Sequence, residues 1–491
     1  MPIARTSDRI LARRSQRPAP AAAACALLGL AVAGCAVGPR YQKPAATLAP
    51  FYSAAAVDSR SVGAPPPLDS WWSGFNDLEL SRIVERALAQ NLDLAAALAR
   101  VQQARASARE AGAQLLPTIG ADARAQTIHQ SLESLTGRIG SHLPDFERDA
   151  SLYDADVGAS WEIDLFGGLR RGAQAARAEA EAAEAERLGA RISVTAEAAD
   201  AYLRIRGDQA QLAVNADQIA ANSHLLDLVR LRFAQGLATD REVAQAQALL
   251  SQARASIQPL NIDLQAQLNR LDVLMGVQPG AFAAELGAPA EIPAPPSVSA
   301  DDKPMEVLRR RPDVIAAERR LAAANARIGK SIAEYYPKIS ISGLLGFESA
   351  TPGQLFKAAT YQPAAAAGLR WRLFEFGKID AEVAQAQGAE AEALAQYRQA
   401  VLHAAEDVEN AFTALAQLEA RRAELIREVA ALKRARDLAQ GAYLSGAVAL
   451  IEVLEADRQL LAAQDELAQT RADAARAAVQ SFRALGGGWS S

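Results

Sequence analysis

The sequence predicts a mainly α-helical, internally duplicated chain that also carries a few β-strands of the kind found in membranes. Three observations predict this. Ala104–Pro117 returns as Ala324–Pro337, and Leu231–Gln247 returns as Gly441–Asp457. Half of the 491 residues are apolar with alanine in excess, and alanine is the strongest helix former. Each copy also places two runs with a period of two between long helix-permissive stretches.

The N-terminus is predicted to be a targeting segment, residues 1–34, rather than part of the fold. Five arginines precede an apolar stretch from Ala19 to Ala33. The stretch ends in Val32-Ala33-Gly34-Cys35, which resembles a bacterial lipoprotein cleavage box. The resemblance implies that Cys35 is acylated and becomes the first mature residue, with sorting to the outer membrane because no Asp follows it. The alternative is an ordinary signal peptide with an incidental Cys.

Composition and charge argue against a nucleic-acid partner, an intramolecular disulfide and a transmembrane helix. The formal net charge of −5 gives no indication of a nucleic-acid partner. Cys25 lies within the segment to be removed, so the mature chain has no intramolecular disulfide. After Cys35 no apolar run reaches about 18 residues, so no transmembrane helix is expected. If the chain crosses a membrane, it must do so with strands.

The first part of the mature chain is predicted to be a tether followed by two helices. Residues 35–70 are rich in Pro, Ala and Ser and are typical of an extended tether. Asp77 can cap a helix that runs through Leu88. A longer helix follows from about Asp93 to Leu115, where Pro117 stops it.

Four runs alternate between apolar and polar residues, two in each copy, and each is long enough for a tilted membrane strand. They are Thr118–Gln126, Tyr153–Phe166, Lys338–Phe347 and Tyr361–Phe374. Aromatic residues near their ends suit an interfacial girdle. The polar stretch at 127–152 is expected to be an exposed loop. Ordinary amphipathic strands of a soluble sheet are the alternative.

The remaining residues of each copy predict a very long helical hairpin. The stretch from Gly168 to about Gln235 would extend roughly 100 Å as one helix. Gly236 and Gly446 interrupt these helices and are typical C-terminal stops, after which Thr239 or Asp240 can cap the next helix of the first copy. We expect a kink or a local break at Pro259. A simple antiparallel coiled coil without a channel is the alternative.

Strand number predicts an oligomer. Four strands cannot close a membrane barrel, because bacterial barrels start at eight strands. Two copies would supply eight strands and a filled interior, whereas three would supply twelve and leave more room for a lumen. The arithmetic therefore favours three copies.

Several features in a fixed order across both copies resemble the outer membrane factor family, in its lipoprotein branch. They are the cleavage box, Trp71-Trp72 with Phe75 and Asp77, Pro117 and Pro337, Phe166-Gly167 with Phe376-Gly377, Gly236 with Gly446, and the ending Ala484–Trp489. The resemblance implies a homotrimer with a twelve-strand barrel in the outer membrane, continued by a long α-helical tunnel across the periplasm. It further implies docking to a periplasmic adaptor (membrane fusion) protein and an inner-membrane efflux transporter, usually of the resistance-nodulation-division type. The repeats would be residues 71–290 and 312–491, joined by a linker at 291–311.

The resemblance also implies roles for residues near the two tip glycines. Glu452 and Glu455 match the positions of an acidic ring that constricts the periplasmic end, and Tyr443, Asp240 and Glu242 are candidates for polar links that hold the end shut. Val448 stands where some family members have a basic gate residue. The groove between the tips offers plausible adaptor contacts, namely Arg232, Gly236, Leu237, Gly446 and Ala447.

Nothing in the sequence indicates an enzyme, a cofactor or a metal site. Metalloprotease, phosphate-loop and nucleophile-elbow motifs are all missing from it. The four His residues are scattered without the spacing of metal ligands. The competing hypothesis is a lipid-anchored periplasmic coiled-coil scaffold without a channel, which would have no use for the alternating strands.

Overall fold

A computed structural model describes residues 36–45, 49–58, 64–144, 146–298 and 304–490. Cys35 and the targeting segment therefore lie outside the described residues. The chain divides into two compact units. The strand unit comprises residues up to 41 together with 109–175 and 324–388, and the helical unit comprises 42–108, 176–323 and 389–491.

The described residues form eleven α-helices and four strands. In chain order they are α1 Ala54–Asp58, α2 Leu78–Gln90, α3 Leu92–Ala113, β1 Thr118–His129, α4 Leu135–Gly140, β2 Asp149–Ile163, α5 Gly168–Ala234, α6 Asp240–Leu274, α7 Ala283–Leu286, α8 Pro304–Arg310, α9 Pro312–Ala333, β3 Lys338–Ser349, β4 Tyr361–Arg370, α10 Lys378–Leu444 and α11 Leu450–Ala484. A 3₁₀ helix at Leu68–Phe75 precedes α2, and two short 3₁₀ turns lie between β3 and β4. Among these residues no helix combines the length and the apolarity that crossing a membrane requires.

The strand unit is built on one antiparallel sheet in the order β1-β2-β3-β4. Every residue of β4 is exposed, and all but one residue of β1 are exposed. A sheet whose apolar face contacts lipid buries little of that face on protein, so this exposure is what membrane strands require. The four strands predicted from period-two alternation are confirmed.

Several boundaries of the strand prediction are wrong: among them, β2 ends at Ile163 rather than Phe166, and β3 extends to Ser349. β4 ends at Arg370, so Trp371 and Leu373 follow the strand. The partner strand β3 begins at Lys338, opposite Arg370, and Pro337 before it has no amide with which the ladder could continue; the indole Nε1 of Trp371 donates to the carbonyl of Tyr335 at 2.9 Å. The expected loop at 127–152 is also shorter, because β1 continues to His129, β2 begins at Asp149, and α4 lies between them.

The helical unit contains the long helices that the sequence predicts. α5 and α10 have 67 residues each, and α6 and α11 have 35 each, so the duplication preserves helix length as well as order. α6 is continuous through Pro259, so no break occurs there, and the alternative expectation of a kink stays a prediction. Pro259 and Ala255, whose carbonyl loses its helical partner, are both exposed, so water can solvate that carbonyl.

The main core of the helical unit surrounds Trp71, which is 1% exposed. Its ring is stacked on Phe482 with centroids 5.4 Å apart and an interplanar angle of 7°. A Cβ on Gly487 would lie only 2.9 Å from Trp71 Cδ1, so the glycine allows the C-terminal segment to close over the ring. The amide of Gly488 donates to the carbonyl of Leu68 at 2.7 Å. The Trp71 and Gly486–Gly488 motifs are thus two sides of one packing contact.

A helix cap and a buried ion pair hold the start of α2 against α5. Asp77 caps α2 as predicted, accepting from the amides of Glu79 and Leu80, and it also accepts from the Tyr202 hydroxyl at 2.6 Å. Arg206 is 1% exposed, pairs with Glu79 and donates to the carbonyl of Ala288 at 2.8 Å. A buried guanidinium is tolerated only when its donors are satisfied, and these partners satisfy them in large part.

Candidate functional site

The candidate site is the pair of hairpin tips, where α5 meets α6 and α10 meets α11. Gly236 and Gly446 have φ angles of +75° and +79°, a left-handed conformation that favours glycine. In both tips two amides bond back to the preceding helix, as when Leu237 donates to the carbonyl of Arg232 at 2.8 Å. A Cβ at either glycine would meet no atom within 4 Å, so backbone conformation rather than space requires glycine there.

The two tips differ in how the returning helix begins. Thr239 caps α6 in a capping box, in which the Glu242 carboxylate accepts from the Thr239 amide at 2.7 Å. The bond from the Thr239 backbone amide is the largest cause that lowers the pKa of Glu242. At the corresponding position of the second tip stands Ala449, which has no side-chain cap bond. Glu452, the counterpart of Glu242, is therefore not engaged in a capping box.

The acidic residues predicted for a ring differ in their local partners. Glu455 is exposed and pairs with Arg458 at 2.9 Å, and the hydrogen bond from Arg458 lowers the pKa of Glu455. Glu452 is exposed in the first turn of α11, where the helix dipole favours an anion. Asp240 is likewise exposed in the first turn of α6.

An apolar cluster joins the two hairpins just behind their tips. It draws on all four long helices: Leu225, Leu226, Val229, Ala246, Leu250, Tyr443, Leu450, Val453 and Leu454. Burial of these side chains stabilises the contact between the hairpins, at about 1.5–3 kcal/mol for each large side chain. The cluster thus packs the two hairpins of one chain against each other at this end.

At the edge of the cluster, one residue pair links the two hairpins. The Arg232 guanidinium lies 4.6 Å from the centroid of the Tyr443 ring, and its Nη1 donates to the Tyr443 carbonyl at 3.2 Å. The Tyr443 hydroxyl is buried without a hydrogen-bond partner among the described residues, and burial raises the pKa of Tyr443. The structure therefore joins Tyr443 to Arg232 by its ring face and backbone, rather than to Asp240 or Glu242 by its hydroxyl.

The residues predicted for adaptor contacts fall into two groups. Gly236, Leu237, Gly446 and Ala447 are exposed at the ends of the hairpins. Arg232 is only partly exposed and its guanidinium is engaged by Tyr443. Leu231 and Leu444, which the sequence reasoning missed, are 57% and 51% exposed beside these residues. Both could have been predicted from the sequence, because they are apolar residues in the last turn of a long helix.

A second set of polar residues, also missed, ties three of the long helices together. Asn215 of α5 donates to Asp465 of α11 at 3.0 Å and accepts from Ser256 of α6 at 2.8 Å. Burial raises the pKa of Asp465 to about 6, while the bond from Asn215 opposes the shift. The ionised form of this carboxylate therefore destabilises the folded state.

Replacing Asp465 with Asn should stabilise the helical unit at pH 7.5 and have almost no effect near pH 4. The folded pKa lies above the ordinary value of 3.8, so the folded state holds the proton more tightly and wild-type stability falls as the pH rises from about 4 to about 6. Solvent screening of this half-buried group leaves an expected gain of about 1 kcal/mol above pH 6. Thermal unfolding followed by far-ultraviolet circular dichroism at both pH values measures it.

Glu466→Gln is the matched control, because Glu466 is adjacent, exposed and paired with Arg421 at the surface. A gain in Asp465→Asn that is equal at pH 4 and pH 7.5 would rule out the titration of Asp465 as its source.

The described residues contain no group of three or more His, Cys, Asp and Glu side chains that could hold a metal ion.

Comparison with known proteins identifies the family. The family model described as outer membrane efflux protein matches residues 83–277 and 304–487. The pyoverdine export outer membrane protein OpmQ of Pseudomonas putida is 33% identical over 427 residues, which cover 86% of this chain and 89% of OpmQ. Outer membrane protein OprJ of Pseudomonas aeruginosa is 31% identical over 464 residues, covering 94% and 95% of the two chains.

Solved structures agree with the sequence relatives. The outer-membrane channel OprN superimposes with a TM-score of 0.83 at 30% identity, covering 92% of this chain and 99% of that one. The outer membrane protein VceC of Vibrio cholerae has a TM-score of 0.78 at 26% identity, covering 87% and 100%. The resemblance noted from the sequence is thereby confirmed, and so is the expectation of a channel rather than an enzyme. The chain belongs to the outer membrane efflux protein family.

Proposed function

We propose that three copies of this chain form the exit duct of a tripartite efflux system, which carries small molecules from the periplasm across the outer membrane. The observation that carries the proposal is the combination of an exposed four-stranded sheet with two helical hairpins of 67 and 35 residues per helix. Four strands need further copies to close a barrel, and twelve strands leave room for a lumen. A coiled-coil scaffold has no use for such a sheet.

The partners proposed are a periplasmic adaptor and an inner-membrane transporter of the resistance-nodulation-division type. The adaptor would contact the exposed tip residues Gly236, Leu237, Gly446 and Ala447. The apolar side chains of Leu231, Leu237 and Leu444 are more than half exposed there, which suits burial on a partner. We assign Arg232 to holding the two tips together rather than to the adaptor surface.

The duct is proposed to carry chemically diverse small molecules rather than one compound. Relatives bear names that refer to pyoverdine export, toluene efflux and solvent efflux, which are chemically unlike molecules. A duct shared by such cargo need not recognise any of them, so selection would belong to the transporter.

The gate is proposed to lie at the tips, with Arg232 and Tyr443 fastening the hairpins of each chain. Glu452 and Glu455 would face the constriction, where like charges from three copies repel one another. The Arg458 partner of Glu455 reduces its share of that repulsion, so Glu452 would contribute the larger part. Asp240 and Glu242 would lie on the outer hairpin, with Glu242 retained by its capping box.

Lipid anchoring at Cys35 is proposed from the residues that follow it. The Val37 amide donates to the carbonyl of Phe166 at 3.0 Å, and Arg171 Nε donates to the carbonyl of Val37 at 3.2 Å. A Cβ on Gly167 would meet Ala36 Cα at 2.6 Å, so the chain just after Cys35 is held against the end of β2. An acyl chain on Cys35 would then start close to the strands that enter the outer membrane.

A single preparation tests the proposed function. Protein extracted from outer membranes should have the mass of three chains by light scattering in detergent, and should migrate as a heat-modifiable oligomer. Cys35→Ser should lose labelling by a radioactive fatty acid while the oligomer persists, because the acyl chain anchors the chain and the strands assemble it. A detergent-free, soluble monomer would contradict the duct and support the scaffold.

A further inference from the structure

Arg171, at the start of α5, is a buried cation whose hydrogen bonds all go to neutral acceptors. It is 7% exposed. Its Nε donates to the carbonyl of Val37 at 3.2 Å, its Nη2 to the carbonyl of Gly38 at 3.2 Å, and its Nη1 to the side-chain oxygen of Gln174 at 3.1 Å. No carboxylate pairs with Arg171 among the described residues. Because burying a charge is costly unless an opposite charge compensates it, this position requires an anion.

Three further cations lie around Arg171. Burial lowers the pKa of Arg171, and the nearby positive charges of Arg40 and Arg170 lower it further. A Cβ on Gly172 would lie 3.7 Å from Lys330 Cδ, so the stem of Lys330 lies against the first turn of α5. We call Arg40, Arg170, Arg171 and Lys330 the basic cluster.

One carboxylate compensates only one member of the basic cluster. Asp164 pairs with Arg170, whose Nε lies 3.2 Å from Asp164 Oδ2. Arg40 and Lys330 are exposed and have no ion-pair partner in the part of the chain that the structure describes. The cluster therefore keeps an excess of positive charge around a buried guanidinium.

Two glycines press the N-terminal segment onto this cluster. Gly38 has a φ of +91°, and a Cβ on it would lie only 2.4 Å from Gly329 Cα. A Cβ on Gly329 would in turn lie 2.8 Å from Arg171 Nε. The close approach holds the backbone two residues before Arg40 against Arg171, so Arg40 is kept beside the other cations.

The fold itself does not require these charges, because the second copy makes the same turn without them. A displacement of 210 residues carries the first Phe-Gly turn onto the second and sets Asp380 and Ala381 where the first copy has Arg170 and Arg171. The counterpart of Lys330, 220 residues earlier, is also an acid. A charge pattern that only one copy possesses indicates a role beyond building the duct.

The basic cluster follows the membrane strand β2 directly. Trp161 and Ile163 end the apolar face of β2, and tryptophan is enriched where a membrane meets water. Glu162 lies on the opposite, polar face. The amide of Val37 bonds to Phe166 just beyond the strand, so an acyl chain on the proposed anchor would enter lipid from this side. The cluster thus lies at the depth of lipid headgroups.

We propose that the basic cluster binds the phosphate group of an anionic phospholipid in the inner leaflet of the outer membrane. The phosphate would supply the negative charge that Arg171 lacks, and the exposed Arg40 and Lys330 would donate to its oxygens. Guanidinium groups suit phosphate because they present several donors in one plane. The inference rests on the proposed placement in the outer membrane and adds a lipid ligand to it.

Native mass spectrometry of the purified oligomer tests the site. In micelles with equal amounts of phosphatidylglycerol and phosphatidylcholine, the wild-type oligomer should retain more phosphatidylglycerol. Arg40→Gln and Lys330→Gln should each lower the ratio of the two bound lipids about fivefold, because a cation near a membrane surface contributes about 1 kcal/mol. Both side chains are exposed, so circular dichroism should show that each variant keeps the fold.

Lys378→Gln is the matched control, because Lys378 is an exposed cation in the corresponding turn of the second copy and has no ion-pair partner among the described residues. Its lipid ratio should equal that of wild type. An equal fall in Lys378→Gln, or a wild-type oligomer without preference for phosphatidylglycerol, would overturn the site. Displacement of the bound lipid by inorganic phosphate would assign the cluster to free anions and overturn the lipid ligand. A monomer in detergent would instead contradict the duct itself.

Discussion

Trp71→Ala should lower the free energy of unfolding of the helical unit by about 3–5 kcal/mol, the cost of removing a large buried aromatic side chain. Trp71 is 1% exposed and stacks on Phe482, and Gly487 closes over its edge. Its removal leaves a cavity between the 3₁₀ helix at Leu68–Phe75 and the end of α11. Urea unfolding of the detergent-solubilised protein, followed by circular dichroism at 222 nm, measures the loss.

Trp371→Ala is the control of matched residue type. Trp371 is 51% exposed and makes one hydrogen bond, to the Tyr335 carbonyl. Losing that bond should cost about 1 kcal/mol. Equal losses in the two variants would show that Trp71 is not the centre of the helical core.

Removing the fastening at the tips should open the duct. Arg232→Ala and Tyr443→Leu each abolish the contact between the Arg232 guanidinium and the Tyr443 ring, which lies 4.6 Å away. A contact of this kind is worth about 1 kcal/mol, so losing it in all three copies would favour opening by on the order of a hundredfold. Conductance across planar lipid bilayers should rise accordingly in both variants.

Two variants distinguish this fastening from general disruption of the tips. Tyr443→Phe keeps the ring and removes a hydroxyl that has no hydrogen-bond partner among the described residues, so its conductance should match wild type. Arg230→Ala removes a charge from the same helix, where Arg230 is 55% exposed and contacts Gln247 and Asp227. A rise in conductance as large in Arg230→Ala as in Arg232→Ala would assign the effect to surface charge.

Local signals predicted most of the fold. The lengths of α5, α10 and α11 follow from the absence of proline over long alanine-rich stretches, and the tips follow from Gly236 and Gly446, whose backbone conformation favours glycine. The strands follow from alternation with a period of two. These features depend on residues close together in sequence, so the sequence alone is sufficient for them.

The errors in the predicted element boundaries arose where contacts between residues distant in sequence, or contact with solvent, determine the structure. β4 stops at Arg370 although Trp371 and Leu373 continue the alternation, because its partner strand begins at Lys338, opposite Arg370, and Pro337 before it has no amide to donate. β1 and β2 extend through polar pairs such as His129 and Asp149, whose side chains lie 2.6 Å apart and carry no apolar period. α6 shows no break at Pro259, where water can solvate the Ala255 carbonyl that has no helical partner.

The candidate site was predictable in position but not in its contacts. The tip glycines located it, whereas the pairing of Arg232 with Tyr443 joins residues 211 positions apart and has no local signal. The same holds for Asn215, Ser256 and Asp465, which meet only because three long helices pack together. The gate and adaptor roles of the tip residues stay predictions.

Single-channel recording of the wild-type protein tests the central claim most directly. Oligomer purified from outer membranes and added to planar lipid bilayers should give discrete conductance steps that favour cations. Glu452→Ala combined with Glu455→Ala should reduce that preference, because the carboxylates at the constriction attract cations. A correctly assembled oligomer that inserts into bilayers without any conductance steps, in wild type and in Arg232→Ala alike, would contradict the duct.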